Sequence, residues 1–267
     1  MTTAQIKISC GIGDLITYLA RLPEFRKTEN VDHLHLWVAG GFKDTPMHLL
    51  AVARMCPQVN SVSLKPENVD KNFDWIPDDN PLKYPMQIPY YTASSENIEL
   101  PSGKHCLIQP VTSLGSFEGF VESRYLPPEG WAAICDRVHA YGYKIIQVGA
   151  FEERDYLGKY ANKVDTNWCG LMTVAETIRL AQKCHMCVAT NSWVWEVSAY
   201  AQIPTLCLYY TNYDKWCRIH VPKFLPPMHG IPTLRIEPEK DISKILKHID
   251  GLAHIGLSVD IASPDIV

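Results

Sequence analysis

Several features that would mark particular classes of protein are missing from this sequence of 267 residues. No apolar run approaches the roughly 20 residues that a transmembrane helix needs, so we expect no membrane span. The segment from Met1 to Ser9 holds one lysine and no long apolar stretch, so we expect no secretory signal and a cytoplasmic protein. Internal repeats and low-complexity segments are missing as well, which leaves an ordinary globular fold.

An excess of positive charge is also missing. The formal net charge is -4 and the pI about 6.2, whereas proteins that rely on a broad phosphate-binding face are usually basic. Nucleic acid is therefore a possible partner that the charge does not support.

The nine cysteines are odd in number and follow no secretory signal, so we interpret them as reduced thiols. The spacing Cys184-His185-Met186-Cys187 could serve a metal or redox pair, with Cys217 and His220 as distant partners. The run from Met186 to Ala189 is typical of a buried strand, where cysteine is common. We accordingly predict no metal site.

The N-terminal residues have the pattern of a strand, a glycine turn and a helix. An apolar run from Ile6 to Cys10 ends in Gly11-Ile12-Gly13-Asp14, after which apolar residues continue at helical spacing to Phe25. A strand from Leu34 to Val38, a helix from Pro46 to Met55 and a strand from Val59 to Leu64 follow. This alternation predicts a parallel, doubly wound sheet.

Residues 65–104 break the pattern with six prolines. We expect a long functional loop there, with room for an irregular strand or two. The domain linker is placed toward its end, which divides the chain into domains of residues 1–100 and 101–267.

The second half repeats the alternation. Predicted strands are His105 to Gln109, Lys144 to Val148, Met186 to Ala189 and Thr205 to Tyr209. Five helices are predicted. One begins at Pro127-Pro128-Glu129, a short one lies near Glu153 to Tyr160, and one begins at the capping box Thr173 to Glu176. The last two cover Val194 to Ala201 and Ser243 to Leu252. The expected class is therefore α/β, with two Rossmann-like domains.

The first glycine turn is a candidate ligand site. Gly13 lets a ligand approach the backbone closely, and the following helix points its free N-H groups to the same place. A third glycine of the dinucleotide fingerprint is missing, so the turn alone does not predict a dinucleotide. Asp14 either stabilises the helix N-terminus or acts as a general base on an acceptor hydroxyl.

The order of motifs resembles the family 9 glycosyltransferases, which include the lipopolysaccharide heptosyltransferases. The resemblance covers about the first 60 residues and residues 105–215. Its motifs are loose but collinear: Gly11 to Leu15, Arg124-Tyr125-Leu126-Pro127-Pro128-Glu129-Gly130-Trp131, Gly142 to Glu153, Cys169 to Ala181, Val188 to Pro204, and Leu208-Tyr209-Tyr210-Thr211.

The resemblance implies the GT-B arrangement of two Rossmann-like domains facing a cleft, without a metal or another cofactor. The N-terminal domain would hold the acceptor, and the C-terminal domain would bind a nucleotide sugar. Asp14 would be the catalytic base, and Arg124 would hold the donor diphosphate with its guanidinium group. The alternative for Arg124 is a solvated side chain before a helix.

Further donor-binding residues follow from the same resemblance. Glu153 corresponds to an acid near the donor ribose, and Met172 to a residue beside the base, although core packing is an equal alternative for Met172. Thr112 and Ser113 would approach phosphate, or would simply belong to a loop. The remaining donor-binding candidates are Gly13, Asn191, Ser192, Glu196 and Thr211.

The segment from Asn191 to Glu196 departs from the family pattern of aspartate, small residue, glycine and then histidine. Trp193 puts bulk where the family has glycine, and Glu196 puts an acid where it has histidine. The identity of the donor is therefore open. Trp193 and Trp195 could stack on a sugar, or belong to the core.

The predicted function is metal-independent transfer of a sugar from a nucleotide diphosphate sugar to a hydroxyl, with inversion as the family precedent. The acceptor could be a surface saccharide, or a hydroxymethylated DNA base in a phage setting. An alternative is a degenerate GT-B protein that binds a nucleotide sugar without turnover. A sugar-nucleotide epimerase would need further acid-base groups, which the sequence does not place.

Overall fold

The structure, a computed structural model, describes residues 1–41, 46–74, 98–111, 126–190, 192–210, 234–236 and 242–258. These residues form two parallel β-sheets with helices packed on their faces.

The first sheet has four parallel strands in the order β3-β2-β1-β4. The strands are β1 (Thr3–Cys10), β2 (His33–Gly41), β3 (Ser61–Ser63) and β4 (Lys71–Phe73). Strand β4 lies inside the proline-rich segment and pairs with β1, so the irregular strand expected there is present.

Three helices accompany this sheet: α1 (Ile12–Leu19), α2 (Leu22–Glu29) and α3 (Pro46–Arg54). The prediction of a single helix that continues to Phe25 is wrong, because the helix is interrupted between α1 and α2. Pro23 lies in the first turn of α2. Proline has no N-H to continue a helix but suits a first turn, so the break falls just before it.

The second sheet has six parallel strands in the order β10-β9-β8-β5-β6-β7. Their bounds are β5 (Lys104–Gln109), β6 (Tyr143–Gln147), β7 (Thr166–Asn167), β8 (Met186–Thr190), β9 (Thr205–Tyr210) and β10 (Leu234–Ile236). Counted from β5, this is the 3-2-1-4-5-6 order of a Rossmann sheet. The strand order reverses between β5 and β8, where such sheets bind ligands beyond the carboxyl ends of their strands.

The helices of the second half are α4 (Pro128–Ala140), α5 (Val174–Lys183), α6 (Trp193–Tyr200) and α7 (Ile242–Ser258). The predicted capping box of α5 is confirmed, since Thr173 and Glu176 exchange hydrogen bonds. The predicted helix near Glu153 to Tyr160 is wrong: the chain forms separate 3₁₀ turns at Phe151–Glu153 and Gly158–Lys163. Strands β7 and β10 were too short to predict.

The core joins the two halves. Alternate residues of β5 point to opposite faces of the second sheet, as the two-residue period of a strand requires. Cys106 and Ile108 pack with α4 and α7, whereas Leu107 packs in the same cluster as α1, α5 and α6. The α/β class with two Rossmann-like halves is thereby confirmed.

Candidate active site at the carboxyl ends of the two sheets

The carboxyl ends of β1 and β8 are brought together by a contact between α1 and α6. A Cβ atom on Gly13 would lie 3.0 Å from Glu196 Cδ and closer still to Glu196 Oε2. Gly13 belongs to the helix that follows β1, and Glu196 to the helix that follows β8. The ends of the two sheets where Rossmann-like folds bind ligands therefore face each other.

The Glu196 carboxylate lies against the first turn of α1. Within α1, Leu15 N-H donates to Gly11 C=O at 3.1 Å, so the amides of residues 12–14 precede the intrahelical ladder. Glu196 is half-buried, and its Oε2 is buried. A carboxylate at this place is attracted by the positive end of the helix dipole.

A second carboxylate, Glu153, lies in the 3₁₀ turn Phe151–Glu153 that follows β6 and is only 5% exposed. Gln109 Nε2 donates to Glu153 Oε2 at 3.2 Å, and Gln147 Nε2 donates to the Glu153 carbonyl at 3.3 Å. A Cβ atom on Gly149 would lie 3.1 Å from Glu153 Cδ and closer to Oε2. The glycine and the two glutamines thus fix the buried acid at the strand ends.

The loop after β7 completes the surroundings of Glu153. Gly170 donates its N-H to Gly149 C=O at 2.9 Å, and a Cβ on Gly170 would lie 2.7 Å from Phe151 Cα. Burial, and secondarily the Glu153 charge, raise the pKa of Cys169 to about 12. Beside this packed region Phe151 and Leu171 are exposed to 64% and 63%. An apolar surface therefore borders a buried acid.

Two polar atoms at the point where the strand order reverses have no hydrogen-bond partner among the described residues. Ser192 is the N-cap of α6, is 8% exposed, and its Oγ makes no capping bond. Gln109 ends β5, is 4% exposed, and its Oε1 is likewise without a partner there. Buried polar groups are normally hydrogen-bonded, so these two atoms favour a polar ligand at this edge.

The other predicted site residues are only partly described. Asp14 follows Gly13 in α1, and its side chain lies outside what the structure describes. The predicted donor-binding residues Thr112, Ser113, Arg124, Asn191 and Thr211 also lie outside the described residues. The roles assigned to these six residues stay predictions.

Three large side chains belong to the core or its border. Trp195 is 2% exposed within the core cluster, which favours the core interpretation over sugar stacking. Trp193 and Met172 are partly buried and pack against the same cluster. For Met172, core packing is therefore present at the edge of the candidate site.

Gln109 and Gln147 were not singled out from the sequence. Each is the last residue of its strand in the second sheet and follows two apolar residues, Leu107-Ile108 in β5 and Ile145-Ile146 in β6. A polar residue directly after the apolar end of a parallel strand is the signal that could have found them, because ligands of parallel sheets bind at that edge.

The structure describes eight of the nine cysteines. None of these eight is joined in a disulfide, and all are buried, whereas the predicted distant partners Cys217 and His220 lie outside the described residues. Burial raises the pKa of Cys187 to about 12 and raises that of Cys184 as well, which disfavours the thiolate that binds metals. Within the described ranges, no three His, Cys, Asp or Glu side chains converge on one point.

None of the helices in the described ranges has both the length and the apolarity that crossing a membrane requires.

Comparison with known proteins shows the fold but no close sequence relative. No protein-family model matches the chain, and no curated protein matches its sequence. Solved structures match over nearly the whole chain. Escherichia coli ADP-heptose lipopolysaccharide heptosyltransferase II is 12% identical, with a TM-score of 0.66 over 97% of this chain and 100% of the other.

Two further solved structures are similar to the chain to nearly the same extent. A family 9 glycosyltransferase from Veillonella parvula is 13% identical, with a TM-score of 0.63 over 92% of this chain and 89% of the other. Escherichia coli heptosyltransferase WaaC with ADP is 11% identical, with a TM-score of 0.62 over 96% and 100%. The chain therefore has the heptosyltransferase-like GT-B fold that its motifs predicted.

Proposed function

We propose that this chain is a glycosyltransferase that moves a sugar from a nucleoside diphosphate sugar to a hydroxyl acceptor. The observation that carries the proposal is the meeting of the two sheets at their carboxyl ends, where Gly13 touches Glu196. A fold similar to heptosyltransferases supports it. A fold alone does not specify a function, so the proposal depends on the chemistry of this edge.

The proposed reaction needs one base and one anion site. Asp14 takes the proton of the acceptor hydroxyl while its oxygen attacks the anomeric carbon from the face opposite the diphosphate. The bond between that carbon and the diphosphate oxygen breaks, and the configuration inverts. Arg124 and the amides at the start of α6 stabilise the departing nucleoside diphosphate, whose oxygen takes the negative charge when the bond breaks.

The donor would lie along the carboxyl edge of the second sheet. Glu153 accepts a hydrogen bond from the ribose, and the half-buried Met172 borders the base. Thr112, Ser113, Asn191, Ser192 and Thr211 supply hydroxyl and amide groups to phosphate. The unpartnered Ser192 Oγ and Gln109 Oε1 support a polar ligand in this place.

The similar structures include an ADP-heptose heptosyltransferase and a heptosyltransferase with ADP, so ADP-heptose is the first donor to test. Heptosyl and hexosyl transfer are both compatible with the proposal. The acceptor is a surface saccharide, or a hydroxymethylated DNA base in a phage setting. We further propose that the protein works in the cytoplasm without a metal ion, so EDTA should leave its turnover unchanged.

A binding protein without turnover is the second candidate. It is favoured by the acid at position 196, which lies in the first turn of α6. A carboxylate near the proposed diphosphate position opposes the further negative charge that develops there when the bond to the sugar breaks, and so opposes turnover. Such a protein would bind a nucleotide sugar and release nothing.

The test is release of nucleoside diphosphate from a panel of nucleotide sugars with candidate acceptors. We expect acceptor-dependent release that falls by about 10²- to 10⁴-fold in Asp14→Asn, the usual contribution of a general base. Asp155→Asn, an exposed aspartate, is the matched control and should keep the wild-type rate. Donor binding without release by the wild type would support the binding protein instead.

Arg124→Ala tests the anion site separately. We expect a donor KM raised by about tenfold or more, since a charge-assisted hydrogen bond is lost, with little change in the free energy of unfolding. Arg54→Ala, at the exposed end of α3, is the control for loss of an arginine. Unchanged kinetics in Arg124→Ala would refute the diphosphate role.

A further inference from the structure

The contact between Gly13 and Glu196 is a feature that the donor site does not explain. Glu196 belongs to the second half but lies against the first half, at the turn that carries Asp14. The sequence alone suggested a donor contact for Glu196. In the structure its carboxylate lies in the space that the missing side chain of Gly13 leaves open, and the predicted donor contact stays a prediction.

The packing around this contact makes it part of a continuous interface. Leu15 and Ile16 of α1 and Val194 and Trp195 of α6 are buried in one core cluster. Apolar side chains of α1 and α6 thus share one core cluster and hold the two helices together. Glu196 itself adds a charged group at the first turn of α1, where the helix dipole attracts it.

We propose that Glu196 is a positioning residue, which holds the first turn of α1, and hence Asp14, at a fixed place relative to the second half. The proposal rests on the proposed glycosyl transfer for its kinetic part. Displacement of a catalytic group by about 1 Å can cost about 10²-fold in rate. Glu196 therefore acts on the chemical step through the position of α1, and only weakly on donor affinity.

The kinetic test uses Glu196→Gln and Glu196→Ala with whichever nucleotide sugar of the panel, ADP-heptose first, the wild type turns over. We expect kcat to fall about tenfold in Glu196→Ala and less in Glu196→Gln, with donor KM changed by less than about threefold. A loss seen mainly in donor KM would mean that Glu196 contacts the donor, and would overturn the proposal. Unchanged kcat would overturn it as well.

Gly13→Ala provides an independent way to displace the carboxylate. The added methyl group would clash with Glu196 Oε2, at the far end of a flexible side chain, so we expect the side chain to move and kcat to fall as in Glu196→Ala. The double variant should be no slower than Glu196→Ala alone, because both changes remove one interaction. Additive losses would show that the two residues act separately, and would overturn the proposal.

Hydrogen exchange in the ligand-free protein tests the contact without any substrate. We expect amides in the first turn of α1 to exchange about two- to fivefold faster in Glu196→Gln, given the usual strength of a charge at a helix N-terminus. Glu129→Gln is the matched control, since Glu129 lies in the first turn of α4 but is exposed. Unchanged exchange at α1 in Glu196→Gln would refute the contact.

The two readouts separate this proposal from the proposed function. In one outcome, α1 exchanges faster in Glu196→Gln but the wild type turns over no donor. This would support the contact and refute both glycosyl transfer and the kinetic role of Glu196. Turnover that is insensitive to Glu196 would keep glycosyl transfer and refute the positioning role.

Discussion

Two carboxylates of the candidate site lie over glycines, and their surroundings differ. Glu153 lies over Gly149 within the second half, whereas Glu196 of the second half lies over Gly13 of the first. Glu153 is 5% exposed and accepts a hydrogen bond from Gln109. Glu196 is half-buried at the meeting of two helices. One acid is fixed inside a domain, and the other joins the two halves.

The two glycines differ in backbone conformation as well. Gly149 has a φ of +152°, a conformation that residues with a side chain rarely adopt. Gly13 lies in helix α1, where alanine is the more favourable residue. Gly149 is therefore required both by its backbone conformation and by the neighbouring Glu153, whereas Gly13 is required only by the neighbouring Glu196.

Gly149→Ala should have the largest effect on stability. The substitution strains the backbone and pushes a methyl group against the buried Glu153 carboxylate. We expect the free energy of unfolding to fall by about 2 to 4 kcal/mol, measured by urea denaturation. Gly251→Ala in α7 is the control, because nothing lies within 4 Å of its Cβ position, and there we expect no loss. A loss below about 1 kcal/mol in Gly149→Ala would show that Glu153 is free to move.

The elements of this region were largely predictable, but the contacts were not. Strand β6 was predicted from the pattern of Lys144 to Val148, and the acid at Glu153 was singled out by the family resemblance of Gly142 to Glu153. The hydrogen bond between Gln109 and Glu153 joins residues 44 positions apart. A pattern of local periodicity carries no information on such a pair, because the pairing is set by the order of strands in the sheet.

The contact of Glu196 was not predictable for the same reason, because it joins residues that are far apart in the sequence. Its place in a helix after β8 followed from the alternation of strands and helices. Its contact with Gly13 depends on how two separate sheets approach each other, and no spacing in the sequence encodes that approach. The break before Pro23 was readable in principle, since proline suits a first turn, but the apolar spacing across it concealed the end of α1.

Gln109→Met should have a medium effect, and it tests whether Glu153 is held as a charged group. Methionine keeps much of the volume but cannot donate to Glu153 Oε2, so we expect a loss of about 1.5 to 3 kcal/mol in the free energy of unfolding. Gln5→Met is the comparison in the first half, where the amide of Gln5 donates to the neutral side chain of Asn72 at 3.0 Å and accepts from the Glu67 backbone N-H at 2.7 Å. There we expect about 1 kcal/mol for each of these two neutral hydrogen bonds. A loss per hydrogen bond in Gln109→Met no larger than that in Gln5→Met would contradict a charged partner for Gln109.

Gly13→Ala should have the smallest effect on stability, although it should slow turnover. Alanine is favoured over glycine in a helix by up to about 1 kcal/mol, and this gain offsets the displacement of the Glu196 carboxylate. We therefore expect the free energy of unfolding to change by less than about 1 kcal/mol in urea denaturation. A loss as large as that in Gly149→Ala would mean that Glu196 is held as rigidly as Glu153. The contact between the two halves would then be a fixed part of the core, like the contact inside the second half.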